Sequence, residues 1–409
     1  LEQLLFVGKN ITGLVPTIST KLWDHQQETV NTMVAKFTDG YHGFGDASDV
    51  GSGKTLTSLA LASKLINTIN DIHSGILVLL PGNKLIVTWQ DEIDKHTKNF
   101  DVKLHKPSGD IGKIKRNTIV ISTMGRQRDN PINHKWLLVI IDECLSVQNK
   151  NALQTEQAFI QSLLAKYLVM MSATFFRTRF DKLYYMLKML QTGLPERKQY
   201  LETILAESIV AKVPLSGMKW TTNIIHFQLN SLTRELYNKI IDKDLSVEAK
   251  YAKLNSLLVN NKEVNNMVVK QLSKLIAELT KQGCKCLIYA RSQDEAKLWS
   301  NNLKIPIYPK KGDHCIVTYH DGTYGLNDLV IYNTIVMRPP TPDSLPQIKG
   351  RLARPGQKNN NLRIEYFVLE DTIEEGLLIR LEIASKFVHQ YIMPLAKFYN
   401  ISVNHQKYK

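Results

Sequence analysis

Four short runs in the first half of the chain, "GILVLLPG" (75–82), "NTIVIST" (117–123), "WLLVIIDE" (136–143) and "YLVMMSAT" (167–174), are apolar at nearly every position. A strand wet on one face alternates apolar with polar residues. A strand without alternation is buried on both faces, as in a parallel sheet covered by helices. Between these runs lie stretches with helical spacing, such as "LTSLALASKLINTI" (56–69). The order predicts βαβ alternation and an α/β domain over residues 1–190. From about 191 to 282 the pattern changes. "LTRELYNKIIDKDLSVEAKYAKLNSLLV" and "MVVKQLSKLIAELTKQG" carry helical spacing and many charges, which predicts a mainly helical connector. Strand patterns resume at "KCLIYA" (285–290), "HCIVTY" (314–319), "LVIYNTIVM" (329–337) and "RIEYFVL" (363–369), a second α/β domain over 283–371. A helical tail, 372–409, opens with Thr372 and Glu375 at the spacing of a capping box.

Composition narrows the class. Of 409 residues, 43% are hydrophobic and 22% charged, which suits a packed globular chain and not a disordered one. Lys and Arg outnumber Asp and Glu by 52 to 38, a net charge of +14. That excess fits a polyanionic partner, nucleic acid first, because each neutralised phosphate releases counterions. A generally basic, solubilising surface is the plainer explanation. The four cysteines, Cys144, Cys284, Cys286 and Cys315, form no zinc-spaced pairs and no disulfide framework. Free thiols point to an intracellular setting, nucleus or cytoplasm; the Asn- and Lys-rich composition hints at an AT-rich genome, and the compact form would suit a virus or a small parasite. No run of about eighteen apolar residues predicts a membrane span. The chain begins at Leu1, which marks it as a candidate fragment.

Candidate chemistry starts at "ASDVGSGKTLTSLALASKL" (47–65). The strict phosphate-loop pattern wants a glycine where Ser48 stands, but Gly51-Ser52-Gly53-Lys54-Thr55 remains. Glycines let backbone N–H groups close on phosphate oxygens, and the helix that follows points its positive end at the anion. Lys54 can reach terminal phosphates, and the Thr55 hydroxyl can take a position on magnesium. A flexible Gly-Ser turn with a chance Lys-Thr is the alternative. The strand "WLLVIIDE" ends in Asp142-Glu143. Asp142 can hold magnesium, and Glu143 can orient or deprotonate the attacking water. In "QIKGRLARPGQ" (347–357), Arg351 and Arg354 are three apart on a predicted short helix. On one face they can meet the charge that spreads over a leaving γ-phosphate, or else touch DNA or solvent.

In order along about residues 20–388, these stretches resemble the motifs of the ATP-dependent DNA translocases of helicase superfamily two, the Swi/Snf-type remodeller ATPases most closely. "LWDHQQ" resembles the adenine-reading motif, which puts Gln26 on the base. "ASDVGSGKT" is similar to the family's phosphate loop, which also lacks the first glycine. "LVLLPGNKLIVTWQDEI" resembles the next motif, with Pro81, Trp89 and Glu92. "VISTMG" resembles a backbone-contacting motif, with Thr123 as donor. "IDECLSVQN", including Asn149, is similar to the acidic motif, and "MSATFFRTRFDKLYYMLKML" to the coupling motif. "CLIYARSQDEAKLWSNNL", "GTYGLND" and "QIKGRLARPGQ" resemble the three second-lobe motifs.

The resemblance implies an α/β fold of two RecA-like lobes, parallel sheets flanked by helices, with ATP and Mg2+ in the cleft between them. Nucleic acid, duplex DNA first, would lie across both. Nucleotide-binding positions would be Gln26, Gly51, Ser52, Gly53, Lys54, Thr55 and Gly325. Catalysis would rest on Lys54, Glu143, Arg351 and Arg354, with Thr55 and Asp142 on the metal. Lys84, Thr123, Lys150, Arg291 and Asn327 would grip the nucleic-acid backbone. The expected function is a double-stranded DNA translocase. The departures favour two alternatives. Ser172-Ala173-Thr174, followed by Phe175, stands where remodellers usually carry Gly-Thr-Pro and is more typical of strand-separating helicases. Leu145, where the family usually has histidine, suits a weakly hydrolysing scaffold inside a larger protein assembly. A short interval between "IPIYP" and "HCIVTY" suggests a trimmed second lobe.

Overall fold

The computed structural model describes residues 15–68, 72–108, 110–149, 151–173, 186–190, 209–211, 218–319, 328–342, 344–354 and 356–387. The chain divides into two units, 1–214 with 391–404 and 215–390 with 405–409.

In the first unit the elements run β1 (Thr17–Ile18), α1 (Asp24–Thr38), β2 (Gly43–Asp46), α2 (Lys54–Thr68), β3 (Ile76–Leu80), α3 (Lys84–His96), β4 (Thr97–Lys98), β5 (Asp101–Leu104), β6 (Thr118–Thr123), α4 (Met124–Asp129), β7 (Trp136–Asp142), α5 (Leu153–Leu163), β8 (Ala165–Met171) and β9 (Ile209–Ala211). Seven strands form one sheet in the order β5-β6-β3-β7-β8-β2-β9, and every pairing in it is parallel. All four apolar runs are strands of this sheet. Ile76–Leu80, Ile119–Ile121 and Leu137–Ile141 have no more than traces of exposed surface, as burial on both faces requires. The sheet also contains β2, whose sequence GFGD carries no apolar run. Gly43 is needed there: a Cβ would meet Leu190 Cδ2 at 3.0 Å and Leu168 Cβ at 3.2 Å. The amphipathic helices pack their apolar stripes on the sheet, α3 through Ile86, Trp89 and Ile93.

The second unit contains β10 (Lys219–Phe227), α6 (Ser231–Ile241), α7 (Val247–Asn260), α8 (Lys262–Lys281), β11 (Cys286–Ala290), α9 (Gln293–Leu303), β12 (Cys315–Thr318), β13 (Thr334–Met337), α10 (Ser344–Leu352), β14 (Asn361–Leu369) and α11 (Ile373–Phe387). Its sheet is again fully parallel, β10-β14-β13-β11-β12. The segment expected as a helical connector contributes the nine-residue strand β10, paired along its whole length with β14. Its sequence, KWTTNIIHF, is polar at an edge where one side meets solvent, so it carries no buried-strand pattern. The three helices that follow do match the sequence reading. They share one hydrophobic core with the sheet, through Leu258, Val268, Leu272, Ile288, Trp299 and Phe367. The stretch 329–337 is a strand only from Thr334, because a turn at Leu329–Tyr332 precedes it. Among the described residues, no helix is long and apolar enough to cross a membrane.

Candidate functional site

Three strand ends stand level at one edge of the first sheet. β8 lies between β7 and β2, with Met171 opposite Asp142 on one side and Asp46 on the other. Neighbouring strands are about 4.8 Å apart, so the loops leaving β2, β7 and β8 emerge side by side. This carboxyl edge is where open parallel sheets bind ligands.

The loop after β2 carries Gly51 and Gly53 at φ 85° and 79°, a region that side chains with a Cβ rarely adopt. The Asp46 carboxylate starts the loop by accepting the Ser48 N–H at 3.0 Å. α2 begins at Lys54; its first amides have no acceptor within the helix, and its positive end faces the loop. Lys54 Nζ donates to the carbonyls of Ser48 (2.8 Å) and Asp49 (3.0 Å), so the ammonium folds over the loop. α1 braces the loop from behind. His25 Nε2 pairs with the Ser52 carbonyl at 2.9 Å, and Gln26 Nε2 donates to the Gly53 carbonyl at 3.2 Å. Gln26 Oε1 accepts the Trp23 N–H at 2.9 Å. The residue expected on adenine is thus buried, its amide nitrogen bracing the phosphate loop and its amide oxygen capping the start of α1. Ser52 Oγ is buried without a partner, the kind of group an anion's oxygens satisfy.

The acidic motif ends β7. Asp142 Oδ1 accepts the Glu143 N–H at 2.9 Å, and Oδ2 accepts the Trp89 indole N–H at 2.9 Å. Withdrawal from water pushes the Asp142 pKa up, opposed by the Trp89 hydrogen bond and the Lys54 charge. A bound cation would favour its ionised form. Glu143 has φ 48° and ψ 55°, left-handed backbone that costs a residue with a side chain about 1–3 kcal/mol. Its Oε2 accepts the Ser172 hydroxyl at 3.0 Å. Leu145 sits in the 3₁₀ turn Cys144–Val147 that follows. The hydrogen bond between the acidic turn and the end of β8 therefore runs through Ser172, where the leucine has no polar group to offer.

The donor set fits a magnesium-bound nucleotide. Glycine-rich backbone, Lys54 and Ser52 suit phosphate oxygens, while Thr55 and Asp142 are oxygen ligands of the kind magnesium takes. Among the described residues there is no cluster of three or more His, Cys, Asp or Glu side chains able to hold a metal. Magnesium ordinarily uses one or two protein oxygens, water and substrate phosphates, which agrees with so sparse a set.

In the second unit Arg351 lies in α10 and is buried, whereas Arg354 stands two residues past the helix end at Leu352. Arg354 Nε donates to the Gly350 carbonyl at 2.6 Å. The shared helix face expected from their spacing is therefore not what unites them. Both guanidinium groups bear on Tyr289 of β11: burial raises that phenol's pKa, and both arginines pull it down.

The nucleic-acid candidates differ in setting. Lys84 opens α3 and is exposed. Thr123 is buried as the N-cap of α4, its hydroxyl accepting the Arg126 N–H at 3.2 Å with its own proton still to give. Arg291 turns inward, 3.3 Å from Glu374 and 3.0 Å from Asn255 Oδ1. Lys150, Gly325, Asn327, Thr174 and Phe175 lie outside the described residues. Sequence reasoning missed two features. Trp89, singled out in the sequence as part of its motif, is a core residue that also reaches Asp142. Arg338, directly after the apolar strand β13, is fully buried against Glu295 and Glu374; an arginine closing an apolar run was the signal available.

Comparison with known proteins agrees with the first unit's site. Residues 19–177 match the family described as "Type III restriction enzyme, res subunit". The human "DNA excision repair protein ERCC-6-like" is 32% identical over 149 residues, 33% of this chain and 12% of that protein. Its zebrafish (Danio rerio) counterpart is 27% identical over 186 residues, 41% of this chain and 12% of that protein. The chain spans only this small part of the curated relatives it matches. The solved Sulfolobus solfataricus SWI2/SNF2 ATPase core in complex with dsDNA aligns over 91% of this chain and 93% of that one, with 16% identity and a TM-score of 0.44. The family match takes in the phosphate loop and the acidic turn of the first unit. The chain is similar to this family over residues 19–177, and each of its two units is built on a parallel sheet.

Proposed function

We propose that the chain is a DNA-dependent motor, specifically a translocase that tracks double-stranded DNA by its backbone. The observation that carries the reading is the convergence of Lys54, Asp142-Glu143 and Ser172 from three neighbouring strand ends. In this reading the amides of the Gly51–Thr55 loop and Lys54 hold the terminal phosphates. Thr55 and Asp142 would hold Mg2+, which neutralises phosphate charge. Glu143 orients the attacking water and takes its proton. Arg351 and Arg354 of the second unit supply positive charge to the leaving phosphoryl group, a role that can be worth about 10³–10⁵ in rate. Ser172, bonded to Glu143, ties the state of the acidic turn to the end of β8. Grip on phosphates, with Lys84, Thr123, Lys150, Arg291 and Asn327 as candidates, needs no base reading, and the +14 charge supports it.

The test is ATP turnover without nucleic acid and with duplex DNA, single-stranded DNA and RNA, at low and moderate salt. Duplex DNA is expected to stimulate most, and salt to abolish the stimulation. Glu143→Gln should cut turnover at least about 100-fold while ATP still binds. Stimulation by single strands or RNA would instead favour strand separation, the reading that Ser172-Ala173 supports. Unchanged turnover in Glu143→Gln would sink the catalytic assignment.

A further inference from the structure

α3 buries one stripe of side chains, Ile86, Trp89, Ile93 and His96, and starts just after β3, the strand that pairs with β7. This places the Trp89 ring, 1% exposed, beside the carboxyl end of β7. A buried indole N–H needs an acceptor, and any carbonyl would serve. Trp136, in the same sheet, uses the neutral side chain of Gln161 at 2.8 Å. Trp89 instead donates to Asp142 Oδ2 at 2.9 Å while the Glu143 backbone N–H holds Oδ1 at 2.9 Å. Each carboxylate oxygen is pinned by one donor, and each keeps a further lone pair. A carboxylate held at both oxygens cannot rotate about its last bond without breaking a charge-assisted hydrogen bond.

We propose that Trp89 is a positioning residue for Asp142: its indole N–H fixes the carboxylate plane so that the remaining lone pairs are presented to Mg2+. This rests on the reading of Asp142 as a magnesium residue. The ring's packing is a separate contribution, so the test removes the N–H and keeps the ring. Partners of this kind are worth about 10–100-fold in metal affinity or activity.

The experiment measures binding of a fluorescent ATP analogue to the full chain, with EDTA and across a Mg2+ titration. The variants are Trp89→Phe and a chain with 3-benzothienylalanine at position 89, an isostere of tryptophan that lacks the N–H. Trp136→Phe is the control for losing a buried indole hydrogen bond elsewhere on the sheet. The expected result is a Mg2+ half-saturation raised about 10-fold or more by both position-89 variants. Metal-free binding should be unchanged, and Trp136→Phe should move neither quantity. If the isostere binds Mg2+ like the parent while Asp142→Asn weakens it, the positioning role is wrong and the site reading survives. If Asp142→Asn also leaves the titration unchanged, the assignment of Asp142 to the metal falls, and the role of Trp89 with it.

Discussion

Replacing Arg338 by methionine should be among the most damaging single changes in the second unit. The guanidinium is fully buried and bonds the Leu258 carbonyl at 2.9 Å, Glu374 Oε1 at 3.1 Å and Glu295 Oε1 at 3.0 Å. Both carboxylates are buried too, 0% and 2% exposed. Burial works against the Arg338 charge, but the two glutamates outweigh it and hold its pKa above the ordinary value. Methionine would fill much of the volume and leave two buried carboxylates with Arg291, 3.3 Å from Glu374, as the remaining cation paired with them among the described residues. Breaking such a pair costs about 3–5 kcal/mol, chiefly because the remaining charge has no compensation. A unit of this size loses about 2–4 °C in midpoint per kcal/mol, so the fall should be about 6–20 °C. Incorporated 5-fluorotryptophan gives Trp299, buried in this unit's core, its own ¹⁹F signal, and the assay follows that signal through thermal unfolding of the whole chain. Adding Glu295→Gln should recover much of the loss, since it removes a stranded charge. The sign with pH is also fixed. A stranded carboxylate has a folded pKa above its unfolded value of about 4.3, so the folded form binds the extra proton and the variant gains stability as pH falls from 8 to 5. A fall below about 2 °C, or a loss that does not shrink on acidification, would refute the view that paired charge and not volume decides this site.

Gly53→Ala should weaken nucleotide binding, because the new Cβ would push the Gln26 amide off the Gly53 carbonyl on backbone already at φ 79°; equilibrium binding of a fluorescent ATP analogue reads this, and Gly40→Ala, at positive φ with open space around it, is the strain control. His105 is buried, its Nδ1 2.8 Å from Ser122 Oγ, and burial followed by the nearby Arg126 charge lowers its pKa. The unfolded chain therefore binds its proton first, and stability should fall as pH drops below about 6.5; His105→Gln should flatten that slope in a pH series of unfolding midpoints.

The first sheet was legible because burial on both faces leaves a signature in sequence. Leu77, Val120, Val139 and Val169 each sit inside an uninterrupted apolar run, and each is a buried strand residue. β2 and β10 escaped for opposite reasons. β2 is buried but built from glycine, since Gly43 must let Leu168 and Leu190 close in. β10 is an edge, so its side chains are half polar and the region's helical spacing dominates. The Gly51–Thr55 loop and Asp142-Glu143 were readable because their chemistry is local in sequence. Trp89 with Asp142 and Ser172 with Glu143 were not, since packing of α3 on the sheet brings the first pair together and register between β7 and β8 the second. Arg351 and Arg354 were expected to share a helix face; Tyr289, contributed by another strand, is what they share.

Charge balance and strain separate scaffold from site. In the Arg338 cluster both glutamates are held at both oxygens by cationic or backbone donors: Glu295 accepts from Arg338 and the Arg291 N–H, and Glu374 from Arg338 and the Leu369 N–H. This paired set locks the ends of β11 and β13 to α9 and α11. Arg291, expected to grip nucleic acid, is held into this set through Glu374, so any grip it provides must compete with that carboxylate. The first unit's edge is built differently. Asp142 keeps a free lone pair on each oxygen, Ser52 Oγ is buried without a partner, and Glu143 is held in strained backbone. In the second unit the buried Tyr289 hydroxyl also lacks a partner, and Arg351 and Arg354 bear on it. Unmet bonds and strain are costs that a bound group can offset. At Ser52 and Glu143 they coincide with the residues proposed to handle phosphate, which is why we place the chemistry there and read the Arg338 cluster as its support.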